Sequence, residues 1–252
     1  MAIETTSLFY PEQKIHIGEY ELTEGVEIQI YSAKDTYFDW AKLKLSQAFY
    51  GKITIAKGDK VEILLGYDGN LNSVFQGYAY KCDGKIIICK DEMVKLEQTK
   101  ITNTFLDAEP GEIVEYCLLQ AGVASYKLFE NSYQKRSIVP ISGKNVIQVM
   151  EEIKILWRIP HLFYFLQRTF HFGSKHVQEK IYKFEYGINI ISLTEEKGQW
   201  ILETASVPFI RHSDIIEMNH PSVQGKRQVS KVVFSSNEAG FLRTRIYFEV
   251  EK

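Results

Sequence analysis

The stretch that decides the fold is residues 57–78, which read KGDKVEILLGYDGNLNSVFQGY. The Gly-Asp pair at residues 58–59 favours a turn, and residues 61–65 form an apolar run rich in β-forming side chains. Asp-Gly-Asn at residues 68–70 favours a second turn, after which residues 74–75 open the next strand. This alternation of strands and turns predicts a β-meander. It contains no catalytic motif.

The composition is that of a folded protein with a bias towards strands. Of the 252 residues, 45% are hydrophobic and 13% are aromatic, and aromatic rings pack well across strands. This length suffices for two or three small domains or for one large one. The 30 Lys and Arg residues nearly balance the 32 Asp and Glu residues, so the overall charge indicates neither nucleic-acid nor membrane-surface binding.

Targeting signals and cysteine pairs are not evident in the sequence. No apolar run reaches the roughly 20 residues that span a bilayer, and residues 1–5 lack the basic and then apolar start of a secretory signal. We therefore expect a protein without a membrane span that is made and kept in a cytoplasm. Cys82, Cys89 and Cys117 are odd in number and lack CxxC spacing, which predicts buried or half-buried free thiols rather than disulfides or a zinc cluster.

The hydrophobic period changes twice along the chain. Residues 15–89 alternate or form short apolar runs, which predicts a β region. Residues 107–122 show helical spacing, with Asp107 as the predicted N-cap and Gly122 as the stop. A second helix is predicted to begin at Ser142. Its predicted apolar face consists of Val146, Val149, Met150 and Ile153.

Strands are predicted again after the helices. A hairpin is expected from residues 159–165 and 169–172. The later predicted strands are 180–186, 187–193, 199–203, 214–218, 228–234 and 243–250. The order of β, then α/β, then β predicts a mainly β fold with an α/β insertion. We divide it into a first β domain at residues 1–100, an α/β middle region at 101–175 and a second β domain at 176–252.

The meander resembles the signature of phage tail baseplate hub proteins, a family that includes the phage late-control protein and the spike proteins of related contractile secretion systems. The match is carried by Gly58, Asp59, Gly66, Tyr67, Phe75 and Gly77. The helix end at residues 120–122 and the hairpin closing at 172–173 are similar to the middle region of the same family. Residues 219–226 and 229–234 extend the resemblance towards the C-terminus.

The two predicted β domains also resemble each other. Residues 56–63 are echoed by residues 211–218, which aligns Asp59 with Asp214. Residues 75–77 are echoed by 223–225, which aligns Gly77 with Gly225. If one chain carries two similar barrels, three chains present six of them in a ring, and a threefold assembly can dock onto a sixfold one.

The resemblance implies two small tail-tube-like β-barrels flanking the α/β region, in a homotrimer. It implies a structural, non-enzymatic virion protein of a phage tail, baseplate or contractile injection system, assembled in the bacterial host cytoplasm. Such a hub adapts the hexameric tail tube protein to a trimeric spike or tail-tip protein, and DNA or an effector passes through its lumen without specific binding. Since this sequence stops at Lys252, we expect any puncturing or cell-wall-cutting part on a separate chain.

The histidines offer the first test of an enzymatic interpretation. His171 and His176 are five residues apart, a spacing that shares neither a helix face nor a strand face, so a metal site is not predicted. His161 and His171 could face each other across the predicted hairpin, but their aromatic neighbours favour a β-layer with partly exposed imidazoles. We predict no metal-binding residue.

His212 and His220 offer the second test. They flank Asp214 and Glu217, which could form an acid/base cluster. Turns and strand edges place polar residues at such positions in any case. The sequence also has no phosphate-binding glycine loop and no nucleophile elbow. We predict no catalytic residue, no cofactor-binding residue and no cofactor.

Two other functions stay open. The aromatic group at residues 37–40 could stack on a sugar, although a strand entering a barrel core uses the same residues and we favour the core. The alternative function is a carbohydrate- or peptide-binding β-module without catalysis, in which Trp40 or Trp157 would be the stacking residue. A hydrolase with a hub-like fold is the third hypothesis, with His212 and Glu217 as the residues to test.

Overall fold

The computed structural model describes residues 10–174, 177–237 and 241–249. The fold is mainly β with few helices, as predicted. The first segment contains β1 Pro11–Ile17, β2 Tyr20–Leu22, β3 Val26–Ala33, β4 Trp40–Leu45, β5 Lys60–Tyr67, β6 Asn70–Cys82 and β7 Ile86–Lys90. The middle segment contains α1 Met93–Gln98, β8 Lys100–Ala108, α2 Pro110–Gln120, β9 Tyr126–Leu128, β10 Arg136–Asn145, α3 Val146–Trp157, β11 Phe163–Leu166 and β12 Thr169–Phe172. The last segment contains β13 Tyr182–Glu185, β14 Ser192–Glu196, β15 Gln199–Ala205, β16 Ile215–His220, β17 Val223–Ser236 and β18 Leu242–Glu249.

The predicted meander is present as β5 and β6. These strands pair antiparallel from Lys60 opposite Tyr78 to Tyr67 opposite Asn70. The turn between them takes φ values of 51° at Asp68 and 78° at Gly69. Left-handed residues at both central positions suit the tight turns that join twisted strands, and Asp-Gly is a preferred pair for them.

Strands of the first and last segments belong to one 13-stranded sheet. Its main path runs β14-β15-β18-β17-β3-β4-β7-β6-β5-β1-β2, and β16 and β13 branch from β17. The two segments meet where β17 pairs antiparallel with β3. The two-barrel arrangement and the division into three domains stay predictions.

Packing divides the chain into two compact units. The first, which we call the sheet unit, comprises the described residues within 10–34, 39–90, 177–237 and 241–249. Its core draws on both segments, since Ile15 and Ile63 lie in the same buried cluster as Phe234 and Phe248. Burying these large apolar side chains contributes about 1.5–3 kcal/mol each relative to leaving them exposed.

The second unit, the insert unit, comprises residues 35–38 and 91–174. It contains a two-stranded ribbon of β8 and β10, the three helices, and a three-stranded sheet in the order β11-β12-β9. Its own buried cluster includes Cys117 from α2, Val149 from α3 and Phe170 from β12. The predicted hairpin is therefore present as β11 and β12, which pair antiparallel.

The first predicted helix is confirmed, but its predicted N-cap is wrong. Asp107 lies in β8 with a φ of 48°. Helix α2 begins at Pro110 instead, and its N-cap Glu109 donates its backbone N–H to the Glu112 carboxylate at 2.8 Å. Proline suits the first helical position because its missing N–H has no partner there anyway. Gly122 follows the helix with a φ of 69°, as a helix stop requires.

The second predicted helix begins later than expected. Ser142 lies in β10, and α3 starts at Val146 with Asn145 as its N-cap. The Asn145 side chain accepts a hydrogen bond from the Gln148 amide at 2.9 Å, and Gln148 accepts one from the Asn145 amide at 3.0 Å. This reciprocal capping box fixes the start of the helix. The predicted apolar face of Val146, Val149, Met150 and Ile153 is buried, as expected.

The cysteines and the helices bear on two further predictions. Cys89 and Cys117 are buried, Cys82 is half-buried, and all three thiols are free, as predicted. None of the helices in the described parts of the chain combines the length and apolar character that crossing a bilayer would require.

Candidate assembly surface

The turn at residues 56–59 is held by four backbone and side-chain hydrogen bonds. The Asp59 carboxylate accepts from the Ala56 amide at 2.8 Å, and the Asp59 amide donates to the Ala56 carbonyl at 3.2 Å. Gly58 donates to the Ala79 carbonyl at 2.8 Å, and Ala79 donates to the Asp59 carbonyl at 2.8 Å. Gly58 takes a φ of 96°, a conformation that glycine adopts without strain.

The same arrangement recurs at residues 211–214. The Asp214 carboxylate accepts from the Arg211 amide at 2.7 Å. Ser213 donates to the Val229 carbonyl at 2.7 Å, and Val229 donates to the Asp214 carbonyl at 2.8 Å. Ser213 takes a φ of 73°, in the position of Gly58. The structure therefore aligns Asp59 with Asp214, in agreement with the sequence echo.

The second part of the sequence echo is wrong. Gly77 pairs with Val61 in the meander, and the equivalent residue opposite Ile216 is Arg227. Gly225 pairs with Met218, further along the hairpin. The hairpin of β16 and β17 is shorter than that of β5 and β6, so equivalent positions in the two repeats no longer align in sequence beyond it. Gly225 takes a φ of 88°, a conformation that glycine adopts without strain and that Gly77 does not share.

The remaining motif residues serve close packing and hydrogen bonding. A Cβ on Gly66 would lie 1.9 Å from the Asn70 carbonyl oxygen. The Tyr67 hydroxyl donates to the Ser206 carbonyl at 2.9 Å. Phe75 is buried in the sheet core. These residues hold the β framework and do not converge on one polar site.

The whole strand order is repeated, which the sequence did not reveal. Repeat A consists of β3 to β7 and pairs in the order β3-β4-β7-β6-β5. Repeat B consists of β14 to β18 and pairs in the order β14-β15-β18-β17-β16. Each long strand also has a bulge at the same place, between Ala79 and Lys81 in β6 and between Val229 and Lys231 in β17. The chain therefore carries two copies of one supersecondary unit.

Trp40 lies on the outer face of this sheet rather than in the predicted core. Its neighbour Ala41 is fully buried, and strand alternation turns Trp40 the other way. The Trp40 ring stacks on Tyr31 at a centroid distance of 5.5 Å. On the same face, Lys231 Nζ lies 3.5 Å from the Tyr247 ring centroid. Aromatic and lysine side chains thus pair across strands of both repeats.

A group of charges ties the two repeats together inside the sheet unit. Arg211 donates from Nη2 to the Ser73 carbonyl at 2.7 Å, and it interacts electrostatically with Asp214 and Asp39. Burial raises the pKa of Asp39 to about 7, although the Ser32 hydroxyl, which donates to it at 2.5 Å, and the Arg211 charge favour the ionised form. Arg211 thus links the loop before β16 with strand β6.

The first histidine pair does not form a site. His171 pairs with Tyr164 across the hairpin and stacks on its ring at 5.3 Å, so the alternative in which it faces His161 is not realised. The hairpin turn at residues 167–168 sets this register. His171 is buried, not partly exposed, and its Nδ1 lies 2.8 Å from the Ser174 hydroxyl. His176 lies outside the described residues.

The second histidine pair is also dispersed. His212 and Asp214 are buried, whereas Glu217 is exposed on β16. His220 packs edge-on against Tyr186 at 5.0 Å. Within residues 10–174, 177–237 and 241–249, no group of three or more His, Cys, Asp or Glu side chains is arranged to hold a metal ion. The acid/base cluster considered from the sequence is therefore not assembled.

Comparison with solved structures identifies the architecture. The 43 kDa tail protein of prophage MuSo2 from Shewanella oneidensis is similar with a TM-score of 0.69 at 10% identity, covering 94% of this chain and 97% of that one. A tail protein from Neisseria meningitidis MC58 is similar with a TM-score of 0.70 at 10% identity, covering 96% of this chain and 97% of that one. The fold is that of phage tail proteins.

The tail-protein fold extends to secretion machinery. An Escherichia coli component of the type VI secretion system, described as similar to T4 phage tail proteins, has a TM-score of 0.68 at 11% identity, covering 95% of this chain and 77% of that one. No family model matches the sequence, and no curated protein matches it. The likeness to these solved structures lies in the fold, at sequence identities of 10% to 11%.

Proposed function

We propose that this protein is a structural hub of a phage tail or tail-like injection particle. Three chains would form a ring that adapts a hexameric tail tube to a trimeric spike or tail tip. The role is geometric and non-enzymatic. It is supported by the shared tail-protein fold over nearly the whole chain.

The repeated strand order is the observation that carries the proposal. Repeats A and B share one pairing order, one turn geometry and one bulge position. Three chains with two repeats each present six similar units, which is the condition for a threefold ring to match a sixfold one.

The proposed partners are the tail tube protein on one face and a spike or tail-tip protein on the other. The lumen would let DNA or an effector pass without specific binding. The ring would assemble in the bacterial host cytoplasm and remain in the virion tail or baseplate.

The aromatic side chains give the carbohydrate- or peptide-binding alternative little support. The Trp157 indole donates its N–H to the Gln134 carbonyl at 2.8 Å, and the Arg136 guanidinium lies 5.3 Å from the ring centroid. Trp40 stacks on Tyr31. Both candidate stacking residues therefore already have a partner within the chain, and we do not advance this alternative.

The absolute mass in solution tests the ring. Light scattering behind a sizing column should give about 88 kDa, three times the chain mass of 29.2 kDa, at high protein concentration or with the tube protein present. A mass of one chain under both conditions, without co-elution with rings of the tube protein, would contradict the proposal.

A further inference from the structure

The middle of the large sheet has an outer face that carries more cations than carboxylates. This central face consists of the outward side chains of β7, β4, β3, the part of β17 that pairs with β3, and β18. Their inward neighbours, such as Leu43 and Phe234, belong to the buried cluster of the sheet unit. The ionisable side chains of the central face are Lys42, Lys44, Lys90, Lys231, Arg243 and Arg245 among the cations and Glu27 and Glu249 among the carboxylates. The near balance of charge in the whole chain therefore does not extend to this face.

Aromatic rings position two of these lysines. Lys90 Nζ lies 3.9 Å from the Tyr80 ring centroid. Lys231 Nζ lies 3.5 Å from the Tyr247 ring centroid and 5.4 Å from that of Tyr31. A ring attracts an ammonium group through its quadrupole but carries no net charge itself. These contacts therefore orient the two ammonium groups without cancelling their positive charge.

Two carboxylates near the central face bind cations. Glu27 accepts from Lys44 Nζ at 2.8 Å, and Glu203 on the neighbouring strand β15 accepts from Arg245 at 2.8 Å. Glu249 lies near the end of β18, opposite Gln199. The excess positive charge of the face comes from the four other cations, which are Lys42, Lys90, Lys231 and Arg243.

These four cations are spread across the sheet rather than along one strand. Lys90 lies on β7, Lys42 on β4, Lys231 on β17 and Arg243 on β18. The strands β7 and β18 are four intervals apart in the pairing order, which is roughly 19 Å at about 4.8 Å each. An extended acidic peptide follows a single line and would meet only some of these charges.

Double-stranded DNA has the charge distribution that suits this spread. It carries one negative charge for about every 1.7 Å of its axis. Its two phosphate backbones are separated by grooves roughly 6 and 12 Å wide, so they can meet cations that lie several strands apart. Charge complementarity therefore favours duplex DNA over an acidic peptide as the partner of the central face.

The aromatic rings of the face are already engaged within the chain. Trp40 stacks on Tyr31 at a centroid distance of 5.5 Å, and Tyr31 and Tyr247 both contact Lys231. Proteins that bind single strands gain affinity by stacking bases on aromatic side chains. Since these rings contact one another and lysines instead, the face offers phosphate contacts rather than a stacking platform for bases.

We propose that the central face binds the phosphate backbones of double-stranded DNA without sequence preference. The inference goes beyond the proposed passage of DNA through a ring, because it assigns a measurable affinity to one face of a single chain. It depends on the charges of the sheet unit and not on the number of chains in the assembly.

Fluorescence anisotropy with two labelled duplexes of unrelated sequence tests this binding. Both duplexes should bind with affinities within about twofold of each other, because phosphates carry no sequence information. With about four phosphate contacts, the logarithm of the association constant should fall against the logarithm of the salt concentration with a slope of roughly −3.6.

Charge removal locates the binding surface. Lys42→Gln, Lys90→Gln and Lys231→Gln together should lower the affinity at low salt at least tenfold and reduce the slope to roughly −1. The same three lysines changed to arginine should keep the affinity within about threefold of wild type, because arginine retains the charge. Thermal melting of both variants checks that the fold is intact.

A matched control removes three lysines from the insert unit. Lys100, Lys127 and Lys135 are exposed there, and changing all three to glutamine lowers the net charge of the chain by the same amount. This control should keep the affinity within about twofold of wild type. An equal loss in both glutamine variants would mean that the net charge, and not the central face, attracts DNA.

Two further results would overturn the proposal. Polyglutamate that competes as well as duplex DNA at equal charge concentration would identify an acidic protein segment as the partner. Equal losses from the glutamine and arginine variants of the central face would mean that its lysines act through packing and not through charge.

The mass of the protein, measured alongside, separates this inference from the ring. If the protein has the mass of three chains and no duplex binds, the ring stands and the DNA-binding face is wrong. If duplexes bind as expected while the protein never forms a trimer, even with the tube protein present, the DNA-binding face stands and the ring is wrong.

Discussion

At the scale of single residues, the β5–β6 hairpin depends on the absence of one carbon atom. A Cβ at Gly66 would lie 1.9 Å from the Asn70 carbonyl oxygen and 2.8 Å from the Leu71 Cα. Both obstacles are backbone atoms, which cannot turn aside as a flexible side chain would. The glycine of the family signature is thus required by close approach of the chain to itself.

Gly66→Ala should therefore destabilise the protein by roughly 2–4 kcal/mol, in the range of severe core changes. Gly111→Ala is the control, since its Cβ would meet nothing within 4 Å in α2. Alanine there should be neutral or should stabilise by up to about 1 kcal/mol. Denaturant unfolding of both variants checks the difference, and equal stability would refute the steric argument.

Asp39 should make the stability of the protein fall as the pH rises. Its pKa is raised to about 7 in the folded state, chiefly by burial, from an ordinary value of about 4 in the unfolded chain. Between these two pKa values the folded state binds more protons than the unfolded chain. The contribution of Asp39 to the free energy of unfolding is therefore complete below pH 4 and is lost as the pH rises through 7.

Asp39→Asn should remove the part of the pH dependence of stability that comes from Asp39. Between pH 5 and pH 8 the wild type should lose roughly 3 kcal/mol relative to the variant, at 1.36 kcal/mol for each pKa unit. Urea unfolding at a series of pH values measures the two profiles. Parallel profiles would show that Asp39 is ionised in both states.

At the scale of elements, Arg211 connects repeat B to repeat A through hydrogen bonds and charge interactions. Its guanidinium donates to the carbonyls of Pro208 and Ser73 at 2.5 and 2.7 Å and interacts with Asp39 and Asp214. Removing one partner of a buried ionic group leaves the others uncompensated and costs about 3–5 kcal/mol.

Arg211→Met should therefore cost several kcal/mol of unfolding free energy, which thermal or urea unfolding measures. Arg245→Met is the matched control, because Arg245 also binds a carboxylate, that of Glu203 at 2.8 Å, but its side chain is 56% exposed. An exposed pair contributes about 0–1 kcal/mol. A comparable loss of unfolding free energy in both variants would mean that the buried interactions of Arg211 do not stabilise the contact between the repeats.

The sequence predicted the elements better than their boundaries. Asp107 and Ser142 are good capping residues by type, yet both lie in strands, where β8 and β10 pair with each other. The residues that cap the helices, Glu109 and Asn145, are distinguished by partners three residues later, Glu112 and Gln148. A search for reciprocal capping boxes would have found Asn145.

The repeat was visible in the sequence only where its spacing is kept. Residues 56–59 and 211–214 align because the same turn needs the same length. Residues 75–77 and 223–225 were misaligned because hairpin length differs between the repeats. The pairing order of the strands could not be read at all, since edge and core strands carry similar apolar patterns.

At the scale of the whole molecule, the sheet is completed by residues far apart in sequence. β17 pairs with β3, and the Ile28 amide donates to the Ser236 hydroxyl at 3.2 Å across a separation of 208 positions. No local pattern specifies such a pairing. The sequence therefore predicted a mainly β fold but not that its first and last segments share a sheet.

A chain cut after Ser174 should fail to fold cooperatively in its sheet unit, because β3 loses its neighbour and the core loses Phe234 and Phe248. Residues 177–252 alone should fail likewise, while co-expression of both fragments should restore a complex. Circular dichroism and thermal melting of the pieces measure this. A sharp transition for the isolated C-terminal piece would instead support three separate domains.

The duplicated strand order also limits how many repeats a ring of this protein can contain. Any closed ring built from this chain contains an even number of repeats, since each polypeptide contributes a covalently fused pair. Its junctions alternate between one inside a chain, where β17 pairs with β3, and one between separate chains. Under mechanical load such a ring would part at every second junction, into intact protein molecules rather than broken ones.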